Sequence, residues 1–436
     1  MNTILKIPGF QNIFFKRKLK VDIVFFIVVV ALPSSFFNFI PKTIFIDLRL
    51  LYLLVGLVYI ILNIQNTKKL LKIVGARWLL LLIAFLFFRF FYSITFQDIP
   101  LIEVLTIFRT NFSYPIITFG FLLYAVKMDN NRIFRFFFWL FFVTLITGFI
   151  YILSNLIGVN FYANVSKEYY SFNDTVLMQN MASLPLYSKF LFVFGIIAAV
   201  VMTKFRKYYF IFIPILVTLL SIVRSDLIVY ISIVLLVFFL LNFSRFKIKS
   251  RKLLKFLLIG VITSLAAFLL FSSHIGRVIN KFGLDKSSEL SAETYTEKGT
   301  FRVRLNLIEE ANKQISEDIL LGNGYHREVK KGRYSYVVGG DTLIAPVIYT
   351  EGYLGLVLRL APVILFLSWG LRRIRSKYVF TAFTSIVIVS LILAELLNIV
   401  QTRIFVHYNE TLFIFFLLAI IDYNYNNPKP NSSGLS

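Results

Sequence analysis

The sequence contains no cysteine. Disulfides, thiolate metal sites and cysteine nucleophiles are therefore excluded. Histidine is almost as scarce: His274, His326 and His407 are too scattered for a metalloprotease-like spacing, so no metal ligand set is expected. No Walker-type glycine-rich phosphate loop is present either, so nothing points to ATP, and no cofactor is expected. Charge as a whole is low. Charged residues make up 16% of the chain, against about 25% in an average soluble domain. Acidic side chains are the scarcer kind, 22 against 46 basic ones.

Apolar residues fill the space that charge leaves: 58% of the chain is hydrophobic and 17% aromatic. Apolar runs fall at 21–40, 45–64, 78–96, 104–126, 134–157, 184–203, 208–223, 226–243, 254–272, 353–371, 378–399 and 408–422. Most are about 20 residues long, enough to cross a bilayer core as a helix. They are continuous rather than alternating, which indicates helices and not a barrel. The expected fold is an all-α polytopic membrane protein with about twelve transmembrane helices. The first run follows Lys16–Lys20, is longer than a signal-peptide core, and leads into Pro41 and Lys42. It reads as a retained helix.

A formal charge of +24 can signal nucleic acid binding. Here the cations sit in clusters between apolar runs, and there is no soluble basic domain, so no nucleic acid partner is expected. Placing the N-terminus in the cytoplasm makes every alternate turn basic. These turns carry Lys68, Lys69, Lys72 and Arg77; Lys127, Arg132 and Arg135; Lys204, Arg206 and Lys207; Arg245, Lys247, Lys249, Arg251 and Lys252; and Arg372, Arg373, Arg375 and Lys377. The intervening turns near Gln97–Pro100 and Gly158–Pro185 are poor in cations. The positive-inside rule then predicts both termini in the cytoplasm. The chain divides into helices over 1–272, a large extracytoplasmic loop over 273–352, further helices over 353–422, and a tail over 423–436 whose composition reads as disordered.

Chemistry is expected on the outer side, where a helical bundle positions its loops. Arg224, in Ser221-Ile-Val-Arg-Ser-Asp226, interrupts a long apolar stretch. Such an arginine needs a partner or a purpose. Its planar fork suits phosphate oxygens, yet it could equally pair with Asp226 or snorkel to the interface. In the large loop, Thr300–Asp318 reads as an amphipathic helix, with Phe301, Leu305, Ile308 and Ile315 on one face and Glu309, Glu310 and Lys313 away from it. Arg304 borders the apolar face and Arg302 lies further round. The bland reading is a surface helix with solvated arginines. Next comes Leu321-Gly-Asn-Gly324, whose glycines permit a sharp stop and a close backbone approach. After it come Asp341 and then Glu351-Gly-Tyr-Leu-Gly355. Asp341 and Glu351 could each act as a general base or merely cap a helix. Arg89, Glu103 and Arg109 lie in or beside the third and fourth runs, either lining a cavity or neutralising one another.

In this order the motifs resemble the O-antigen ligase and Wzy-type O-antigen polymerase superfamily. Val223-Arg224-Ser225 resembles its Ser-Arg turn, with the serine after the arginine rather than before it. Arg304-Leu305, Ile308 and Leu321-Gly322-Asn323-Gly324 resemble its loop motif, with isoleucine where tryptophan is more usual. Gly352-Tyr353-Leu354-Gly355 matches its Gly-x-x-Gly, while Asp341-Thr342 stands where His-Asn is often found. The resemblance implies a fold like that of the C-type glycosyltransferases. It implies a metal-independent polymerase that joins undecaprenyl-diphosphate-linked repeat units on the outer face of the bacterial inner membrane, making O-antigen, capsule or another exopolysaccharide. Arg224 and Arg304 would hold the diphosphate, with Arg302 or Arg277 assisting. Asp341 or His326 would act on the acceptor. Gly322, Gly324, Gly352 and Gly355 would shape the loop. Membrane lipids, a chain-length regulator and a flippase are the implied partners. The missing histidine favours a polymerase over a ligase. A flippase of lipid-linked sugars is the alternative from another class.

Overall fold

The computed structural model describes residues 48–130, 132–133, 193, 224–244, 308–309, 311–313, 315, 318–325, 344–397 and 408–427. These residues form helices, turns and bends with no strand among them. In chain order the helices are α1 (Leu48–Asn63), α2 (Thr67–Leu70), α3 (Ala76–Thr95), α4 (Leu101–Ala125), α5 (Arg224–Phe243), α6 (Ile344–Arg373), α7 (Val379–Leu397) and α8 (Tyr408–Asn426). Two of them, α3 and α6, are long and apolar enough to cross a membrane. The apolar runs expected at 21–40, 134–157, 208–223 and 254–272 lie outside the described residues, as does all of 184–203 but Val193.

The chain divides into two compact units. One contains α1 to α4, the described loop residues between 308 and 325, α6 up to Leu371, and α8. Its helices are brought close by small residues. A Cβ on Gly120 would lie 2.4 Å from the Gly56 carbonyl oxygen, and one on Gly56 would lie 2.7 Å from Ile116. The α1–α4 crossing therefore puts backbone against backbone, a packing mode that needs glycine. Polar side chains close the end of this crossing. The Asn66 amide donates to the Leu123 carbonyl at 3.1 Å, and Lys69 Nζ donates to the Val126 carbonyl at 3.0 Å. The C-terminal carbonyls of α4 thus gain the donors they lack within the helix, one of them cationic, as the helix dipole favours. Phe121 meets Phe413 of α8, and Phe366 of α6 meets Phe416.

Between α3 and α4 the chain reverses over Phe96–Pro100. Asp98 adopts φ 50°, which a short polar side chain tolerates. Pro100 then supplies the first carbonyl acceptor of α4, to Glu103 and Val104 N–H. Glu103 in the first turn suits the positive end of the helix.

The second unit contains α5, α7 and the turn from Arg372 to Tyr378. Ile233, Val237, Leu240 and Leu241 are the buried stripe of α5, at helical spacing. Arg375 donates from Nε to the Phe243 carbonyl at 3.3 Å and lies over the Phe243 ring, closing the C-terminal end of α5. α7 is buried along nearly its whole length.

Two boundaries differ from the sequence reading. The last helix runs on to Asn426, so the tail expected to be disordered from 423 begins as helix. The helix expected to start at 353 begins instead at Ile344 and carries a break inside it at Gly352.

Candidate functional site

The break at Gly352 organises this part of the molecule. Gly352 has φ 66° and ψ −169°, a conformation essentially reserved for glycine. In an unbroken helix, Tyr353 N–H would bond the Tyr349 carbonyl and Leu354 N–H the Thr350 carbonyl. The break frees all four groups, and each finds a partner elsewhere. Tyr353 N–H donates to Ile319 O at 3.1 Å, and Leu354 N–H to Leu320 O at 3.1 Å. Tyr349 O accepts from Asn323 N–H at 2.8 Å. Thr350 O accepts from Arg89 Nη2 at 3.0 Å. The loop Asp318–Tyr325 is thus a splint laid on the broken helix, and with Arg89 it pairs these four released backbone groups.

The splint needs its own glycines. Gly322 has φ 70° and Gly324 φ 81°. A Cβ on Gly322 would sit 2.6 Å from Gly352 N, and one on Gly352 would sit 2.3 Å from Leu320 O. The two glycine motifs singled out in the sequence, Leu-Gly-Asn-Gly and Gly-Tyr-Leu-Gly, therefore pack backbone on backbone against each other. Asp318 starts the splint: its Oδ1 accepts from Leu321 N–H at 3.0 Å and its Oδ2 from the Tyr92 hydroxyl at 3.4 Å. Upstream, Ile308–Glu309 and Ala311–Lys313 are helical. Ala311 and Ile315 are buried against Ala345, Ile348 and Tyr349, while Glu309 and Lys313 are exposed. This is the sidedness the amphipathic pattern predicts for these residues.

Beneath the splint lies a buried polar cluster. Arg89 of α3 is wholly buried. Besides Thr350 O, its Nη2 reaches Gly322 O and Gln97 Oε1, each at 3.4 Å. Gln97 Nε2 in turn donates to Gly322 O at 3.0 Å. One arginine and one glutamine thus tie α3, the splint and α6 together. On the other side of the break, Glu351 and Arg359 form a two-pronged ion pair, Nε to Oε2 at 2.8 Å and Nη2 to Oε1 at 2.5 Å. Both are buried. Eight residues of straight helix would separate their Cα atoms by about 12 Å along the axis. The turn at Gly352 lets the Glu351 side chain run down over Gly355, where an added Cβ would be 2.3 Å from Glu351 Cβ. The second glycine of the Gly-x-x-Gly motif is thus the groove for this carboxylate. The Asn111 amide of α4 donates to Glu351 Oε1 at 3.4 Å.

Tyr325 closes the cluster. It is fully buried and its ring meets Phe108. Asn111 lies close to its hydroxyl, but without hydrogen-bond geometry. Burial pushes the phenol well above its ordinary value, and the Glu351 carboxylate adds to this. Arg359 and Arg89 pull the other way without reversing it. Tyr325 therefore stays protonated, a permanent hydroxyl donor.

Of the residues predicted from sequence, Gly322, Gly324, Gly352 and Gly355 are brought together here. Arg224 is the first residue of α5, in the other unit. Arg277, Arg302, Arg304, His326 and Asp341 lie outside the described residues. Glu351 proves to be neither a free base nor a helix cap: it sits inside α6, neutralised by Arg359. Sequence reasoning missed the roles of Gln97, Asn111, Tyr325 and Arg359. For Arg359 the signal was there, a cation in mid-run of the kind that demands a partner. Among the described residues, no group of three or more acidic or histidine side chains could hold a metal ion. No family model, curated protein or solved structure matches the chain.

Proposed function

We propose that this chain is a Wzy-type polysaccharide polymerase of the bacterial inner membrane. It would have about twelve membrane-spanning helices, both termini in the cytoplasm and the 273–352 loop outside. The observation that supports this best is the mutual docking of the two glycine motifs. They carry the family resemblance, lie far apart in sequence, and meet as one splinted break held by Arg89. That block flanks the proposed machinery along the chain. Arg302 and Arg304 precede the splint, His326 follows it directly, and Asp341 precedes α6. The apolar outer faces of α1 and α3, with Leu54, Val58, Ile61, Leu81, Phe88 and Phe91 exposed, suit lipid rather than water.

In the proposed reaction an acceptor hydroxyl attacks the anomeric carbon of a lipid-linked glycan. A carbon–oxygen bond forms to the acceptor, and the bond to the lipid diphosphate breaks. The hydroxyl proton passes to Asp341 or His326. Negative charge grows on the departing diphosphate, and Arg224 and Arg304, with Arg302 or Arg277, stabilise it. Such preorganised stabilisation is worth several kcal/mol in a water-poor site, and it needs no metal.

The test is the length distribution of surface polysaccharide in a deletion strain complemented with wild type or Arg304→Ala. Collapse to one repeat unit in both the deletion and the variant is the expected result. Long chains stranded on the lipid carrier would identify a ligase instead. Unchanged chains in the deletion would overturn the enzyme reading and favour transport.

A further inference from the structure

We infer that Arg89, Ser93 and Tyr325 form an enclosed binding site for a small monovalent anion such as chloride. The inference does not depend on the polymerase reading. It rests on donors that the splint buries without acceptors. Among the described residues, Nη2 of Arg89 alone has hydrogen-bond partners, while Nε and Nη1 have none. The same holds for Ser93 Oγ and the Tyr325 hydroxyl. All three side chains are fully buried, at 0% exposure. Buried polar groups in native proteins are almost always satisfied, and a set of neighbouring exceptions calls for a ligand.

The donors belong to one place. Arg89 and Ser93 are one turn apart on α3, and so share a face. Gly324 covers Ser93 and Gln97, the latter bonded to Arg89, with its Cβ position 3.0 Å from Ser93 Oγ and next to Gln97 Oε1. Tyr325 is the next residue, and its hydroxyl lies within electrostatic range of the Arg89 guanidinium. The nearby carboxylates do not supply the missing oxygen. Asp318 is occupied by Leu321 N–H and the Tyr92 hydroxyl. Glu351 is occupied by Arg359 and Asn111. Arg89 therefore keeps a whole positive charge out of water with only neutral acceptors on one nitrogen, a costly arrangement. The Asp318 and Glu351 carboxylates lie within electrostatic range of Arg89 and offset its charge from a distance, but neither reaches its idle N–H groups. An anion in direct contact would use those donors at once. The guanidinium edge, a serine hydroxyl and a phenol that stays protonated are all donors, and none repels an anion. Full enclosure, with carboxylates already nearby, selects a small, singly charged ion over a multiply charged phosphate ester.

The test measures the thermal unfolding midpoint of the purified full chain in detergent. Sodium chloride or bromide is compared with sodium gluconate at matched ionic strength. The expected result is a midpoint that rises with halide along a single-site saturation curve. Ser93→Ala and Tyr325→Phe leave the Arg89 clamp on Thr350 in place and so should still fold. Each should weaken the apparent halide affinity by about tenfold or more, the loss of one hydrogen bond to a charged group. Arg89→Gln should abolish the response. Equal midpoints in halide and gluconate would overturn the inference. So would a halide response that both conservative variants retain in full, or a response to inorganic phosphate alone.

Discussion

Replacing Gly352 by alanine tests the splinted break directly. At φ 66° and ψ −169° an alanine is strained by about 1–3 kcal/mol. Its Cβ would also sit 2.3 Å from Leu320 O and 2.6 Å from Gly322 N, so the splint must lift. The cheapest relief is for α6 to close its helix, with Tyr353 and Leu354 N–H returning to the Tyr349 and Thr350 carbonyls. That exchange removes the acceptor of Asn323 N–H and the shortest of the three hydrogen bonds of Arg89 Nη2. A buried donor left unpaired costs about 1–3 kcal/mol, more for a charged one. Strain and lost partners do not add, since closing the helix relieves the first and creates the second. The expected net loss is therefore about 2–4 kcal/mol. Chemical unfolding in detergent reads the magnitude. Amide hydrogen exchange reads the geometry: Asn323 should exchange faster, while Tyr353 and Leu354 stay protected. Wild-type stability together with wild-type protection of Asn323 would refute the splint. Gly322→Ala, with φ 70° and Gly352 N at 2.6 Å, should give the same pattern from the other side.

Other consequences follow from the same geometry. Arg359→Ala leaves the Glu351 carboxylate buried alone and should destabilise by about 3–5 kcal/mol. The double variant Glu351→Gln/Arg359→Gln should recover a large part of that loss in the same unfolding assay, and no recovery would deny the pairing. Gly120→Ala pushes a methyl to 2.4 Å from the Gly56 carbonyl and should cost about 1–3 kcal/mol by overpacking, read as a lower unfolding midpoint. For Tyr325 the folded phenol is raised above its ordinary 10.0. Its contribution is therefore complete below pH 10 and declines as pH rises beyond it, because only the unfolded state ionises readily there. Tyr325→Phe should flatten that part of the stability–pH curve, and an unchanged alkaline limb would count against the burial of the hydroxyl.

Among the described residues the order of helices was largely legible, because apolar runs of spanning length leave few alternatives. Runs read at 45–64, 78–96, 104–126 and 378–399 correspond to α1, α3, α4 and α7. Of the helix expected over 300–318, the described residues 308–309 and 311–313 are helical, but Ile315 already lies in a turn and Asp318 outside any helix, so it ends sooner than its spacing suggested. Glycine pairs flagged as turns were rightly marked as special, because no side chain offers their conformational range. Periodicity also misled in one place. Residues 344–351 are helical, whereas the apolar run was read as starting only at 353.

Among the described residues, then, the sequence by itself determined that the chain forms apolar helices, roughly where they lie, and which glycines take unusual backbone conformations. Local hydrophobicity and backbone permissiveness are properties of short windows, and a window suffices to read them. The tertiary structure alone decided what those glycines do. It turned two separate motifs into one backbone contact, gave Arg89 acceptors on Gly322 and Thr350, and folded Glu351 back onto Arg359 past Gly355. Each of these depends on a positive φ at one residue redirecting the chain, and on buried polar groups finding whichever partners the fold brings near. A charged residue in an apolar run announces that it needs a partner, but only the folded chain shows which one it has.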